Sequence, residues 1–130
     1  MLAVDTNVVV RFLVRDDTRQ TARADELFRE NRIWIPQTVL LETEWVLRSV
    51  YRLDPRRIEE VIRGLGGVPT VVFEDDEDVA HALDWFAAGM DFADALHLAS
   101  IGPASEFVTF DRKLAASAAR AGVVPKVRLL

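Results

Sequence analysis

The sequence predicts an α/β protein built on a short parallel sheet, and three observations predict it. Apolar runs of strand length alternate with longer segments of helical period along all 130 residues. The short runs lack polar alternation, as strands covered on both faces by helices do. Helix starts and stops punctuate the rest: Asp54 precedes Pro55, and Gly64, Gly89, Gly102 and Gly122 fall where helices should end.

In chain order, Leu2 to Val4 reads as a strand, and Asp5, Thr6 and Asn7 separate it from a mostly apolar helix over Val8 to Val14. Thr18 to Glu30 has helical period, Ile33 to Ile35 is a second strand, and Gln37 to Tyr51 a third helix. The capped start at Asp54 opens a helix over Pro55 to Gly64, and Thr70 to Phe73 is the next strand. Five consecutive acids, Glu74 to Asp78, lack the glycine and closing glutamate of a calcium loop, so they read as the solvated start of a helix over Asp76 to Ala88. Asp91 stands where a cap belongs, before a helix over Phe92 to Ile101. Phe107 to Phe110 is a strand, Asp111 could cap the helix over Arg112 to Ala121, and Val127 to Leu129 closes the set. The length suits one domain over residues 1–130.

Composition removes several classes of chemistry. With no cysteine and only His81 and His97, thiolate sites and histidine-rich zinc sites are excluded, so any metal must be held mainly by oxygen, which favours Mg²⁺ or Mn²⁺. No apolar run is long enough to span a bilayer and no signal peptide is present, so the expected location is the cytoplasm. The net charge of −5 argues against holding nucleic acid by bulk attraction, but the charge is unevenly spread. Residues 1–65 carry eleven arginines against eleven acids, and residues 66–130 carry five bases against ten acids. Such a division could set a phosphate-binding rim beside a carboxylate cluster, or simply reflect solvated helix faces.

Four carboxylates stand out by their surroundings. Ligands of α/β proteins sit beyond the carboxyl ends of the strands, where Asp5 and Asp111 fall. In TVLLETEWVLRSVY, Glu42 has the apolar neighbours Val39, Trp45 and Val46, whereas Glu44 has Arg48 four residues on and reads as half of a surface pair. In DFADALHLASI, Asp94 lies one turn inside a helix that looks buried nearly all round, where a carboxylate is costly without a cation or donors. Each has a plain alternative as a cap, a turn or an exposed residue. One shared divalent cation explains all four together, with Asn7, Thr6 and Thr109 orienting carboxylates or water.

The segments VDTNV, VLLETEWVL, DFADALHLA and VTFDRKL occur in the order and approximate spacing of PIN-domain ribonucleases, and the chain most closely resembles the VapC toxins of toxin–antitoxin pairs. The resemblance implies a three-layer α/β/α sandwich with a short parallel central sheet. It also implies Mg²⁺- or Mn²⁺-dependent cleavage of RNA, homodimers and a VapB-like antitoxin that blocks the site. On it, Asp5, Glu42, Asp94 and Asp111 take the family's acidic metal-binding and catalytic positions, Asn7 and Thr109 its polar supporting positions, and Asp91 an accessory acid. Many relatives carry a further acid two residues beyond the one matching Asp111, where this chain has Lys113, so a second metal ion is in doubt.

Other features have two readings each. Arg11 and Arg15 could guide an RNA backbone if they share a helix face near Asp5, or could pair with Asp16, Asp25 or Glu26. Arg48, Arg52, Arg56 and Arg57 with Tyr51 could contact phosphate or a base, or be a solvated face. His97 could touch Asp94 but reads better as a helix-surface residue, and Trp34, Trp45 and Trp85 as core or interface aromatics. Two other functions compete with the nuclease. A phosphatase using Asp5 as nucleophile would want an aspartate where Asn7 stands, and a non-catalytic binding module would keep the acids for structure or for a partner.

Overall fold

The computed structural model, which describes residues 1–130, contains all five strands and all seven helices expected from the sequence. Residues Met1–Asp76 and Glu77–Leu130 form two compact units. The first runs β1 (Leu2–Ala3), α1 (Thr6–Val14), α2 (Thr18–Glu30), β2 (Ile33–Ile35), α3 (Gln37–Ser49), α4 (Pro55–Gly66) and β3 (Val71–Phe73). The second runs α5 (Asp76–Ala87), α6 (Phe92–Ala99), β4 (Glu106–Thr109), α7 (Arg112–Ala121) and β5 (Lys126–Leu129).

All strand pairs are parallel, but they form two sheets, β1-β2-β3 in the first unit and β4-β5 in the second. In the first sheet Leu2 pairs with Ile33 and Ala3 with Trp34, while Ile33 to Ile35 pair in turn with Val71 to Phe73. Coverage on both faces, expected for every strand, holds best for β2, whose Ile33 and Ile35 are fully buried. The outer strands depart from it: Leu2 of β1 is 42% exposed, and Val108 and Leu129 are open on β4 and β5. A strand with a neighbour on one side only has fewer atoms available to cover it.

The first unit's core is built from helical stripes. Ile58, Ile62 and Leu65 recur along α4, and Leu40 and Leu47 along α3, all buried. Between α1 and α2 the rings of Phe12 and Phe28 stack with centroids 4.0 Å apart, and the Thr21 hydroxyl donates to the Arg11 carbonyl at 3.3 Å. Pro36 begins α3 without a capping side chain, so Glu74, following β3, supplies the acceptor for the Gln37 N–H at 3.1 Å. In the second unit, α5 and α6 meet through Phe86 and Phe92, edge to face at 5.5 Å, and Leu114 and Ala118 are the buried positions of α7. That last helix ends at Gly122, whose φ of 68° closes it in the left-handed conformation.

The two glutamates of α3 exchange the surroundings expected of them. Glu44 does pair with Arg48, at 2.9 Å, but it is only 2% exposed, whereas Glu42 is exposed. The buried stripe of α3 is Leu40, Thr43, Glu44 and Leu47. Glu42 lies two residues, about 200° of helix rotation, from both Leu40 and Glu44, which turns it away from the core.

The Glu44–Arg48 pair is therefore a structural one. Replacing Arg48 with Met leaves a buried carboxylate without its cation and should lower the unfolding free energy by about 1–3 kcal/mol in urea titrations. Glu42→Gln, on the exposed side, should change it by less than about 0.5 kcal/mol.

Candidate active site

Asp5 leaves β1 and immediately caps α1, which is why that helix begins at Thr6 and not at Val8. One carboxylate oxygen accepts the Thr6 N–H at 2.7 Å, leaving the other oxygen uncommitted. Thr6 is buried beneath it, and the exposed Asn7 follows. An open depression of about 330 Å³ is lined by Asp5, Asn7, Arg11, Glu42, Val46 and Tyr51. Glu42 and Val46 reach it from one row of α3, four residues apart, so the row that lacks a place in the core forms the wall of the site.

Arg11 closes the far side of this depression. Its guanidinium donates to Gln20 at 2.6 Å, to Asp16 at 3.2 Å and to the Tyr51 hydroxyl at 3.0 Å, and Tyr51 in turn donates to Asp16 at 2.9 Å. A candidate substrate contact is thus present at the site but held by three partners. Arg15 is committed elsewhere: α1 ends there at a φ of 63°, and its fork grips both oxygens of Asp25 at 2.8 and 2.7 Å. That pairing holds the Asp25 carboxyl below the usual aspartate range. Of the two readings of Arg15, the ion pair is the one the structure forms.

The second unit carries the other acids. Asp91 caps α6, accepting the Asp94 N–H at 3.1 Å, and Asp111 caps α7, accepting the Leu114 N–H at 3.0 Å. Thr109 accepts the Asp111 N–H through its hydroxyl at 2.9 Å, which fixes the turn leaving β4. Asp94 is half-buried on an α6 whose Phe92, Ala95, Leu96 and Leu98 face the core, while His97 is exposed. The helix is thus buried on one side, not all round. Burial first, then the Asp91 and Asp111 carboxylates, push the Asp94 carboxyl above the ordinary aspartate range, and His97 and Lys113 only partly offset this.

The structure therefore brings Asp5, Asn7 and Glu42 together around one depression, and sets Asp91, Asp94 and Asp111 within one another's field. No group of three or more His, Asp or Glu side chains is close enough to hold a metal ion. The donor chemistry still suits magnesium, which keeps most of its waters and is commonly held by one or two carboxylates together with substrate phosphate oxygens. The sequence reading missed Gln20 as the partner of Arg11, and Val46 and Val50 as lining of the depression. The recurrence of Glu42, Val46 and Val50 every four residues was the available signal for one shared face.

With the geometry in place, comparison with known proteins gives one family: the model of the PIN domain matches residues 2–121. No curated protein matches the chain significantly. Seven helices with short parallel strands are consistent with the three-layer α/β/α fold of that family, whose members are usually nucleases and hence hydrolases.

The raised Asp94 carboxyl has a measurable consequence. A carboxyl whose folded pKa lies above its unfolded one weakens the fold when ionised, and the penalty fades as pH falls from the folded value to the unfolded one and is absent below it. In chelator at pH 7, Asp94→Asn should unfold at a higher temperature than wild type, and the gap should close toward pH 3, near and below the ordinary aspartate pKa, in melting curves followed by circular dichroism.

Proposed function

Because the chain belongs to the PIN domain family, we propose that it is a metal-dependent endoribonuclease in which Asp5, Glu42, Asp94 and Asp111 are the acidic metal-binding and catalytic set. The observation that carries the reading is the shared depression of Asp5 and Glu42, two carboxylates from distant segments lining one opening. The run of the family match across both compact units supports reading residues 1–130 as one PIN-like domain.

Mg²⁺ or Mn²⁺ bound to these carboxylates would lower the pKa of a water to make the nucleophile and offset charge on the scissile phosphate. The residues themselves do the rest. Asp5 and Glu42 offer hard oxygen donors, and the cap made by Asp5 fixes its carboxylate relative to α1. Asn7 presents an amide beside them that can orient a phosphate oxygen or a water. Asp94, crowded by Asp91 and Asp111, is relieved by any cation that approaches, and Thr109 holds Asp111 in place.

Within this reading the chain is the toxin of a VapBC-type pair, acts in the cytoplasm as a homodimer, and is blocked by a VapB-like antitoxin. The VapC-like motifs support that reading, as do the open apolar side chains of α3 and its end, Trp45 at 54% and Val50 at 61% exposure. No helix is long and apolar enough to cross a membrane. An antitoxin reading frame adjoining this one would fit the pairing, and sequencing the neighbouring DNA tests it.

Purified protein should cut members of a panel of single-stranded and structured RNAs in Mg²⁺ or Mn²⁺. EDTA, Asp5→Asn and Asp94→Asn should each reduce cleavage at least ~100-fold without loss of folded circular dichroism. Cleavage that survives all three, or a folded wild type that cuts no RNA and takes up no Mn²⁺ by calorimetry, would overturn the reading, the latter in favour of a binding module.

A further inference from the structure

Next to the depression of Asp5 and Glu42 lies a second one, of about 360 Å³, between α1 and α2. Its polar lining is Asn7, Arg11, Gln20 and Arg23, and its apolar floor includes Val8 and Leu27. Asn7 and Arg11 border both depressions, so the two adjoin. Their electrostatics are opposite: two carboxylates line the first, and none lines the second.

The donors in this groove are available. The Gln20 side-chain oxygen accepts from Arg11 Nε, which leaves both amide hydrogens of Gln20 to donate elsewhere. Arg11 uses Nε and Nη1 for its partners and keeps Nη2. Arg23 is exposed and forms no ion pair, since Arg11 takes Asp16 and Arg15 takes Asp25. The walls are set in advance by the Phe12–Phe28 stack and the Thr21 hydrogen bond, so a ligand would have little to order on binding.

We propose that this groove is the subsite for the RNA strand flanking the scissile phosphate, with Arg23 and Gln20 holding a phosphate and Val8 with Leu27 receiving the face of an unpaired base. The inference rests on the nuclease reading and adds to it the residues of this chain that hold the strand beside the site. A guanidinium and an amide over an apolar floor match a single strand, which offers phosphate and an open base face together; a duplex hides its base faces in the stack.

The test is fluorescence anisotropy with a labelled single-stranded RNA in EDTA, where binding is read without cleavage, beside steady-state cleavage in Mg²⁺. Arg23→Gln should bind roughly fivefold more weakly and lower the slope of log affinity against log salt by about 0.7, the share of one phosphate. Gln20→Ala should show a smaller loss, and Arg63→Gln, paired with Glu59 on α4, none. In cleavage, Arg23→Gln should raise KM and keep kcat. Wild-type affinity and salt slope in Arg23→Gln would overturn the groove while leaving the nuclease intact. RNA binding that depends on Arg23 in a protein that cuts nothing would uphold the groove as an RNA site and sink the nuclease. Arg23-dependent binding of an acidic peptide, with no binding of RNA, would overturn the proposal in favour of a peptide site.

Discussion

The candidate site in the first unit depends on what Arg11 holds together. One guanidinium reaches a glutamine on α2, an aspartate in the link between α1 and α2, and the tyrosine that follows α3. The α1–α2 link, the start of α2 and the end of the α3 segment are thereby fixed around α1, the helix that carries Asn7 and is capped by Asp5. Such a network is exposed enough for each contact to be individually weak in water. Its effect is geometric: the fork of Arg11 sets the far wall of the depression whose near wall is Glu42 and Val46. Lysine could supply the charge but not three directed donors in one plane.

A second regularity is that the capping acids keep an oxygen free. Asp5, Asp91 and Asp111 each receive a backbone N–H at the start of a helix, on one carboxylate oxygen. A carboxylate has lone pairs for more than one partner, so capping restrains the group without consuming it. Cap and ligand are therefore compatible duties, and the competition posed between them by the sequence dissolves at these positions. Glu42 and Asp94 cap nothing, and Asp94 sits in the field of Asp91 and Asp111.

Much of the fold could be read from residue order, because punctuation was explicit. Asp54, Asp91 and Asp111 sit at helix starts, and two helices, α2 and α7, have the expected limits. Misreadings arose where the signal was tertiary. Val39, Trp45 and Val46 made Glu42 look enclosed, but the buried stripe passes through Glu44, and hydrophobicity of near neighbours does not say which side of α3 meets the core. Likewise the recurrence of Arg11, Arg15, Arg19 and Arg23 every four residues said nothing of which acid each would find; Asp25 took Arg15 and left Arg23 open. The site's acids were recognisable because caps, strand ends and family motifs coincide there. Its polar rim was not, because Gln20 matters only through a contact nine residues away.

The shortness of β1 bears on how the site behaves over time. Only Leu2 and Ala3 pair with β2, on one side, and Leu2 stays open to solvent. A two-residue ladder of this kind belongs to the part of a fold that opens locally, well below the free energy of global unfolding. Asp5 is the second residue after that ladder, so its position is held from the helix side, by the cap on α1, more than from the sheet. Ligand binding at Asp5 would then suppress local opening of the first strand, and amide exchange at Ala3 and Val4 would register occupancy of a site neither residue touches.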